Sequence, residues 1–443
     1  MWRQDVFKEL LTLAWPAILQ GLLLTVVFLT DRALLGHFSA DGLGVMQICG
    51  PGMWSLFSLC GSIDVGALAM MGRAKGRGDL DELRALIRHC SLLVVTLGIG
   101  MTLLYPWIRE GLIGWMGRET PELHQYARNY LYPLFLCAPF KMLGGLFFAA
   151  LQSQSDTKTP MWISGICGFV NLGISAALIY GECGLPQLGI AGAAWGTAIA
   201  FSLQAILGGW RLTRLLPGVF AWRELQFRYV TLKPVLKISR GVFAERLGYH
   251  SAFLIFSSLV AGLGKVEMGA HQVILAVESI GFIGAEAFGI ASSALIAQSI
   301  GREDDLRGEA VGWHSAALGA VMLLPLSALF LLCPKELISM ISSDPRVILV
   351  GGPCLMVAAI AQPLMAISSA LAGALRGAGE TRSPLIASLI GPTALRLSAC
   401  WGFAYYLEWG LFGIWLGSTI DWLGRSAYLA WAFKGGRWRH VKF

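Results

Sequence analysis

Runs of about twenty mainly apolar residues recur from one end of the chain to the other, and they constrain its fold more than any other feature. A run of that length crosses a bilayer as an α-helix, because the hydrocarbon core is about 30 Å thick. The composition agrees, since 56% of the 443 residues are hydrophobic and only 14% are charged. Soluble domains carry about 25% charged residues. The sequence therefore predicts an all-α polytopic membrane protein.

The apolar pattern predicts twelve transmembrane helices. Their predicted ranges are 10–35, 44–71, 89–115, 129–153, 160–181, 188–212, 238–262, 270–299, 312–333, 347–375, 384–407 and 411–433. Most of the 34 Lys and Arg residues lie in links that share one side of the membrane. Because basic links stay in the cytoplasm, we expect a multi-pass protein with both termini cytoplasmic.

Several functional classes are excluded by what the sequence lacks. The net charge of +7 is spread over short links, so we expect no nucleic-acid partner. The nine cysteines show no CxxC pair and no cysteine–histidine cluster, so we read them as buried apolar residues and expect no metal site. No GxxxxGK[ST] motif and no nucleophile–base arrangement occurs. We therefore expect a transporter without a cofactor, driven by an ion gradient, and not an enzyme.

The chain repeats itself at a nearly constant offset. "SDTKTP" at 155–160 matches "GETRSP" at 379–384, and "GRGD" at 76–79 matches "GRED" at 301–304. Two six-helix copies in one orientation predict lobes related by a pseudo-twofold axis along the membrane normal, with substrate bound between them. The predicted parts are an N-lobe (1–212), a cytoplasmic link (213–237), a C-lobe (238–433) and a basic cytoplasmic tail (434–443).

Asp31 interrupts the apolar run "LLLTVVFLTDRALLGHF" in the first predicted helix. An ionised side chain near the bilayer centre costs roughly 2.5–3.5 kcal/mol on insertion scales, so such a residue usually faces a cavity or a partner. A desolvated carboxylate can take up a proton near neutral pH, or bind Na⁺ with further oxygen ligands. The alternative is a structural ion pair, for which Lys141 is a candidate partner.

Other polar residues in the same half of the chain can assist Asp31. Pro16 lies fifteen residues earlier and weakens the helix, either as a hinge or as a static kink. Asn171 and Ser175 share one face of a helix because they are four residues apart. Together with Thr197 they form either a polar pocket around Asp31 or contacts that join helices.

The second half of the chain carries its own intramembrane acids. Glu278 and Glu286 lie eight residues apart, on one broad side of the eighth predicted helix, and are candidates to line a cavity. Glu245 is either functional or an interfacial charge beside Arg246. Asp421 is expected to pair with the basic residue four positions later, Arg425.

Four motifs in order resemble the multidrug and toxic compound extrusion (MATE) family. "LQSQSDTKTP" (151–160) and "ALRGAGETRSP" (374–384) resemble its paired loop signatures, and "GAHQVILAVESIGFIGAEAFGIASSALIAQSIG" (269–301) is similar to its helix 8 signature. "TDRALLGHFSADGLG" (30–44) resembles the end of helix 1 in the DinF-like branch. The resemblance covers nearly the whole chain.

The resemblance implies a cation-coupled antiporter in a bacterial inner membrane. Two six-helix lobes would alternate between outward- and inward-open states and export amphipathic or cationic compounds. Independently of the resemblance, we expect a monomer surrounded by membrane lipid. The resemblance further implies that Asp31 is the coupling carboxylate and that Pro16 is the point where helix 1 bends. The alternative within the same superfamily is a flippase for lipid-linked precursors, although those usually have fourteen helices.

One position departs from the DinF-like pattern. Relatives often carry Asn and Asp four apart in helix 5, whereas this chain has Asn171 and Ser175; Thr197 matches the helix 6 hydroxyl. The site thus holds one carboxylate where relatives have two. Because one acid is sufficient for a proton while a hard cation prefers several oxygens, the sequence favours H⁺ over Na⁺ as the coupling ion.

Overall fold

A computed structural model describes residues 4–38, 40–115, 121–182, 184–221 and 229–441, without the side chains of 40–48, 112–115 and 121–123. Cys183, residues 222–228 of the predicted link and the last two residues of the predicted tail lie outside this description. Helices make up most of the described chain. Its α-helices are α1 (Gln4–Phe38), α2 (Ala40–Cys60), α3 (Ser62–Arg77), α4 (Leu80–Leu103), α5 (Tyr105–Trp115), α6 (Pro121–Leu136), α7 (Ala138–Ser153), α8 (Lys158–Tyr180), α9 (Ile190–Leu215), α10 (Tyr229–Ala261), α11 (Lys265–Gly301), α12 (Asp305–Leu332), α13 (Pro334–Ser339), α14 (Pro345–Gly377), α15 (Arg382–Leu389), α16 (Leu397–Trp401) and α17 (Gly410–Lys434). π-helical segments at Ile390–Arg396 and Gly402–Tyr406 flank α16, and a short 3₁₀ turn occupies Arg437–His440.

The described helices account for the twelve predicted crossings. Nine helical stretches are long and apolar enough to cross a membrane, and the pair formed by α6 and α7, bent by 49°, makes a tenth. α10 and α17, with 33 and 25 residues, are also long enough to cross but contain more polar residues. The prediction of an all-α, twelve-helix membrane protein is therefore confirmed.

Several helices begin earlier than their apolar runs. α4 begins at Leu80, where the sequence predicted residue 89, and the Asp79 side chain accepts a hydrogen bond from the Glu82 backbone N–H. α10 begins at Tyr229, so residues 229–237 of the predicted link are helical. Hydropathy detects only the part of a helix that lies in hydrocarbon, whereas capping and amphipathic contacts extend the helix beyond it.

The sequence repeat reappears as a repeat of local backbone structure. Gly78 and Glu303 occupy equivalent positions of "GRGD" and "GRED", and both have positive φ, at 75° and 59°. The aspartates that follow them, Asp79 and Asp304, both cap a helix N-terminus. Two copies of one local conformation at the same offset support the predicted duplication.

By its contacts, the chain divides into two compact units that differ from its covalent halves. The C-terminal unit comprises residues up to Ile18, Leu68–Gly78 and everything from Lys237 onward; the N-terminal unit comprises Leu19–Ala67 and Asp79–Leu236. The boundary in α1 thus falls two residues beyond Pro16. α1 therefore changes unit at the place where proline has removed one of its backbone hydrogen bonds.

Within the C-terminal unit, Leu68–Gly78 packs closely against the end of α11. A Cβ on Gly76 would collide with the backbone oxygen of Gln298, and one on Gly301 would collide with that of Arg73. The Arg73 guanidinium donates a hydrogen bond to the Ala378 carbonyl, just beyond α14. Glycine at both positions lets the two backbones approach to a distance that no other residue permits.

A charged cluster lies in the interior of the same unit. Asp421 is fully buried, and its Oδ2 accepts hydrogen bonds from Arg396 (2.9 Å from Nε) and from Arg425 (2.7 Å from Nη2). The Arg425 guanidinium also lies over the Trp422 ring, 3.7 Å from its centroid. The predicted pair of Asp421 with Arg425 is present, and Arg396, the last residue of the first π-helical segment, makes it a triad.

The predicted basic tail is partly packed. Trp438 is 1% exposed, stacks on Phe433 with ring centroids 5.1 Å apart, and donates a hydrogen bond from Nε1 to the Phe433 carbonyl. Arg439 forms an ion pair with Glu309 of α12. Tail residues up to His440 therefore belong to the folded unit.

The Gly76 contact yields a prediction about stability. We expect Gly76→Val to lower the thermal unfolding midpoint of the purified protein in detergent. Overpacking of this kind lowers the free energy of unfolding by about 2 kcal/mol. The control is Gly100→Val, also within a helix, since a Cβ at Gly100 meets nothing within 4 Å. Equal midpoints for the two variants would contradict the close approach.

The Asp421 triad yields a second prediction. Asp421→Asn removes the negative charge that two buried guanidiniums share, and breaking a buried pair costs about 3–5 kcal/mol. We expect a clear loss of stability in denaturant or thermal unfolding. The control is Asp344→Asn, which removes the exposed partner of Arg346 and should change stability little. An Asp421→Asn protein as stable as wild type would show that the triad contributes nothing.

Candidate functional site

The candidate site in the N-terminal unit is built around Asp31, in the C-terminal half of α1. Asp31 is 6% exposed, and its Oδ2 accepts a hydrogen bond of 2.9 Å from the Asn171 amide of α8. Its Oδ1 is buried and makes no hydrogen bond with the described residues. A buried carboxylate oxygen of this kind is costly unless a proton, a cation or water satisfies it. The geometry therefore suits an oxygen that binds and releases a small cationic species.

Asn171 is held in place by its own helix and by the helix behind it. Its Oδ1 accepts a hydrogen bond of 3.2 Å from Ser175, and both residues are almost fully buried. Ser175 in turn faces Gly196 of α9, where any Cβ would collide with its hydroxyl. The order Asp31, Asn171, Ser175 is thus one chain of hydrogen bonds, and Gly196 lets α9 close over it. The sequence left open whether Asn171 and Ser175 form a polar pocket around Asp31 or contacts that join helices, and the structure brings the three residues together.

Two of the residues considered with Asp31 have other interaction partners. The Thr197 hydroxyl bonds to the Ala193 carbonyl of its own helix, at 3.1 Å, and does not join the chain of hydrogen bonds. Lys141 lies over the Phe201 ring, 4.4 Å from its centroid, and interacts electrostatically with Asp64. The alternative interpretation, an ion pair between Lys141 and Asp31, is therefore not realised among the described residues.

Residues missed by the sequence analysis also surround Asp31. Tyr130 of α6 is 8% exposed and interacts electrostatically with both Asp31 and Arg32. The Arg32 guanidinium lies over the Phe28 ring, 4.2 Å from its centroid. Nothing in the local sequence distinguishes Tyr130 from the other aromatic residues at helix ends, because its proximity to Asp31 arises only from helix packing.

Two of the three acids proposed in the second half have hydrogen-bond partners. Glu245 accepts hydrogen bonds from Arg376 at 3.1 Å and from Ser388 at 3.2 Å, so it joins α10 to α14 and α15. Glu286 accepts a bond of 3.2 Å from Ser369 of α14. The ion pair of Glu245 crosses between helices, whereas the sequence suggested only a neighbouring arginine on its own helix.

Glu278 differs from these two acids. Its Oε1 is buried and makes no hydrogen bond with the described residues. The Gln362 amide of α14 lies beside the carboxylate, and Arg396 interacts with it electrostatically without forming an ion pair. Gln362, a lone amide in the apolar run "AAIAQPLM", is a signal that the sequence analysis did not use. Glu278 is thus an interior acid of the C-terminal unit that forms no ion pair with the described residues.

No group of three or more His, Cys, Asp or Glu side chains that could hold a metal ion occurs within the described part of the chain. Each unit instead has its own interior carboxylate with an amide beside it, Asp31 with Asn171 and Glu278 with Gln362.

Comparisons with known proteins identify the family. The chain is 26% identical over 444 residues to the probable multidrug resistance protein NorM of Thermotoga maritima, covering 98% of this chain and 93% of the relative. It is 27% identical to the multidrug resistance protein PmpM of Pseudomonas aeruginosa, covering 95% and 90%. Its fold is similar to that of a multidrug resistance MATE family transporter of the MOP superfamily, solved in an outward-facing conformation, with a TM-score of 0.90 at 16% identity and coverage of 99% and 97%.

The MatE family profile matches the chain twice, at residues 16–176 and 242–401, in keeping with the sequence repeat. The first match contains the Asp31–Asn171 pair and the second contains Glu278 and Gln362. Because the two matches together make up more than half of the chain, this multi-pass membrane protein belongs to the MatE family, whose members are multidrug efflux transporters and not enzymes.

Proposed function

We propose that the protein exports amphipathic and cationic compounds in exchange for a cation that enters through Asp31, with H⁺ favoured over Na⁺. The observation that carries this proposal is the buried carboxylate of Asp31, whose Oδ2 is held by the Asn171 amide while Oδ1 has no described partner. A neutral partner leaves the charge of Asp31 uncompensated. Taking up a proton removes the cost of that charge, and releasing the proton restores it.

The preference for H⁺ rests on the composition of the site. Among the described residues Asp31 is the one carboxylate of the site, and Ser175, already bonded to Asn171, contributes a hydroxyl. A hard cation favours several anionic or carbonyl oxygens, whereas a single carboxylate is sufficient for a proton. Thr197 remains a predicted member of this site, and Glu278, Glu286 and Glu245 remain predicted participants from the other half.

The position of Pro16 supports its predicted role as a hinge. The two compact units meet within α1 at Ile18 and Leu19, beside this proline. A helix that lacks a backbone hydrogen bond at that point bends there more easily than elsewhere. In this proposal the protonation state of Asp31, further along the same helix, biases the bend and thereby the alternation of access.

The names of the relatives favour drug export over the flipping of lipid-linked precursors, because those relatives are multidrug resistance proteins. We further propose a monomer in a bacterial inner membrane, surrounded by lipid, with both termini cytoplasmic. Growth of a flippase-depleted strain restored by this protein would favour the other function.

Replacing Asp31 tests the proposed coupling. In proteoliposomes with an imposed pH gradient, we expect Asp31→Asn to reduce export of cationic dyes to the level of protein-free vesicles. The reason is that the Asn amide, unlike a carboxylate, does not take up and release a proton at physiological pH. Glu336→Gln, an acid on the short helix α13, is the control and should export normally. Wild-type export by a folded Asp31→Asn protein would refute the role of Asp31.

Restoring a second carboxylate tests the choice of ion. We expect Ser175→Asp to make export respond to an imposed Na⁺ gradient without a pH gradient, because the site then offers two anionic groups. Ser175→Ala, which adds no oxygen, should remain insensitive to Na⁺. The comparison uses a small panel of dyes under ΔpH alone and ΔNa⁺ alone. A wild-type protein driven by Na⁺ alone would reverse the assignment of the coupling ion.

A further inference from the structure

We propose that the C-terminal unit contains a proton path in which His271 passes protons through bound water to Glu278. Both residues lie on α11, seven residues apart, which places them on one face with about 10 Å of helix rise between them. His271 lies in the second turn of α11, near the end predicted to face outward. This inference rests on the proposed cation-coupled export and adds a second site to it.

The first observation is a fully buried histidine that has no hydrogen-bond partner in the part of the chain that the structure describes. His271 is 1% exposed, and neither Nδ1 nor Nε2 makes a hydrogen bond with the described residues. Its ring lies between those of Phe256 and Trp415, with centroids 5.5 Å from each. Leaving a buried polar atom unpaired costs about 1–3 kcal/mol. A histidine used only to fill space would be replaced by an apolar residue at lower cost.

The second observation is that further unpaired polar atoms lie in the same interior. The Nε1 of Trp415, the Oε1 of Gln362 and the Oε1 of Glu278 are all buried without a described partner. Trp415 and Gln362 are 2% and 0% exposed. Arg396 interacts electrostatically with both His271 and Glu278 and so links the two ends of the group.

The chemistry of these atoms identifies their ligand class. The indole of Trp415 can only donate a hydrogen bond, the oxygens of Gln362 and Glu278 accept, and a neutral imidazole does one of each. A metal ion requires acceptors alone, so donors within the group disfavour it. Water satisfies both kinds and typically makes two to four hydrogen bonds in a protein interior. At the usual O···O spacing of about 2.8 Å, two or three waters bridge the distance.

The surrounding charges leave Glu278 as the acid that exchanges the proton. The titratable and charged groups that face it are Tyr249 of α10 and Arg396, with Asp421 and Arg425 of α17 behind. Asp421 forms ion pairs with both guanidiniums, those of Arg396 and Arg425. With Glu278 ionised, the two acids and two arginines sum to zero charge, and a proton on Glu278 leaves one positive charge.

The transfer balances without another reactant. Neutral His271 takes a proton on one ring nitrogen from the outer side and releases the proton of the other nitrogen to a water. The water chain passes a proton to the carboxylate of Glu278, which becomes a neutral acid. The imidazole is then neutral again with its proton on the opposite nitrogen, and a flip of the ring restores the starting tautomer. The proton leaves Glu278 when the other access state opens.

The test uses the full-length protein in proteoliposomes, with proton influx and dye export measured separately against external pH. We expect His271→Phe and Glu278→Gln each to slow proton influx by about tenfold or more and to change its pH profile. Because both act in one path, the double variant should be no slower than the slower single variant. The control is His314→Gln, a buried histidine of the same unit whose Nδ1 bonds to the Ala310 carbonyl.

Chemical rescue separates a proton role from packing. In His271→Ala, added imidazole should restore proton influx, whereas pyrrole, which has the same shape but no acceptor nitrogen, should not. The proposed path is overturned if imidazole and pyrrole rescue His271→Ala equally. It is also overturned if the losses of proton influx multiply in the double variant, or if both single variants keep the wild-type pH profile. If these variants behave as wild type while Asp31→Asn stops export, the path is refuted and the proposed function stands. If dye export by the wild-type protein responds to neither a pH gradient nor a Na⁺ gradient, the proposed function itself is refuted.

Discussion

A bilayer has no water to satisfy a backbone N–H or C=O, and every part of this molecule depends on that constraint. Each unpaired group costs several kcal/mol in hydrocarbon, so the chain forms long helices whose hydrogen bonds are internal. The same cost applies to side chains, which explains why most hydroxyls in the membrane segments bond to a carbonyl one turn back on their own helix. Thr25, Thr96 and Ser202 are examples. Buried side-chain polar atoms that do not bond to a carbonyl of their own helix are therefore candidates for contacts between helices or for functional sites.

Close helix packing decides where those exceptional atoms lie. Because lipid tails are as apolar as leucine, helices associate through tight contact and through hydrogen bonds between them. Gly196 allows α9 to reach the hydroxyl of Ser175, which holds Asn171 against Asp31. A larger residue at position 196 would displace the whole chain of hydrogen bonds. The candidate cation site thus depends on a residue that has no side chain.

The two halves of the repeat have acquired different interiors. In the N-terminal unit Asp31 accepts a hydrogen bond from the Asn171 amide and interacts with Tyr130. In the C-terminal unit two arginines share Asp421, and Glu278 stands beside Gln362. The π-helical segment before α16 contributes Arg396 to that cluster, and π-helical segments are frequent at functional sites. Duplication therefore preserved the loops and caps, such as those at Asp79 and Asp304, while the helix interiors diverged.

The sequence by itself determined the membrane-spanning character, the twelve helices and the internal repeat, and it distinguished Asp31 as a charge within an apolar run, because hydropathy, spacing and the cost of a buried charge are local properties. It also placed Asn171 and Ser175 on one face. It could not determine partners across helices. Whether Asp31 meets Lys141 or Asn171, whether Glu245 meets Arg376, and whether His271 lies beside Trp415 depend on how distant helices pack. Only the tertiary structure decided those contacts, because side chains far apart in sequence become neighbours through packing that no local pattern records.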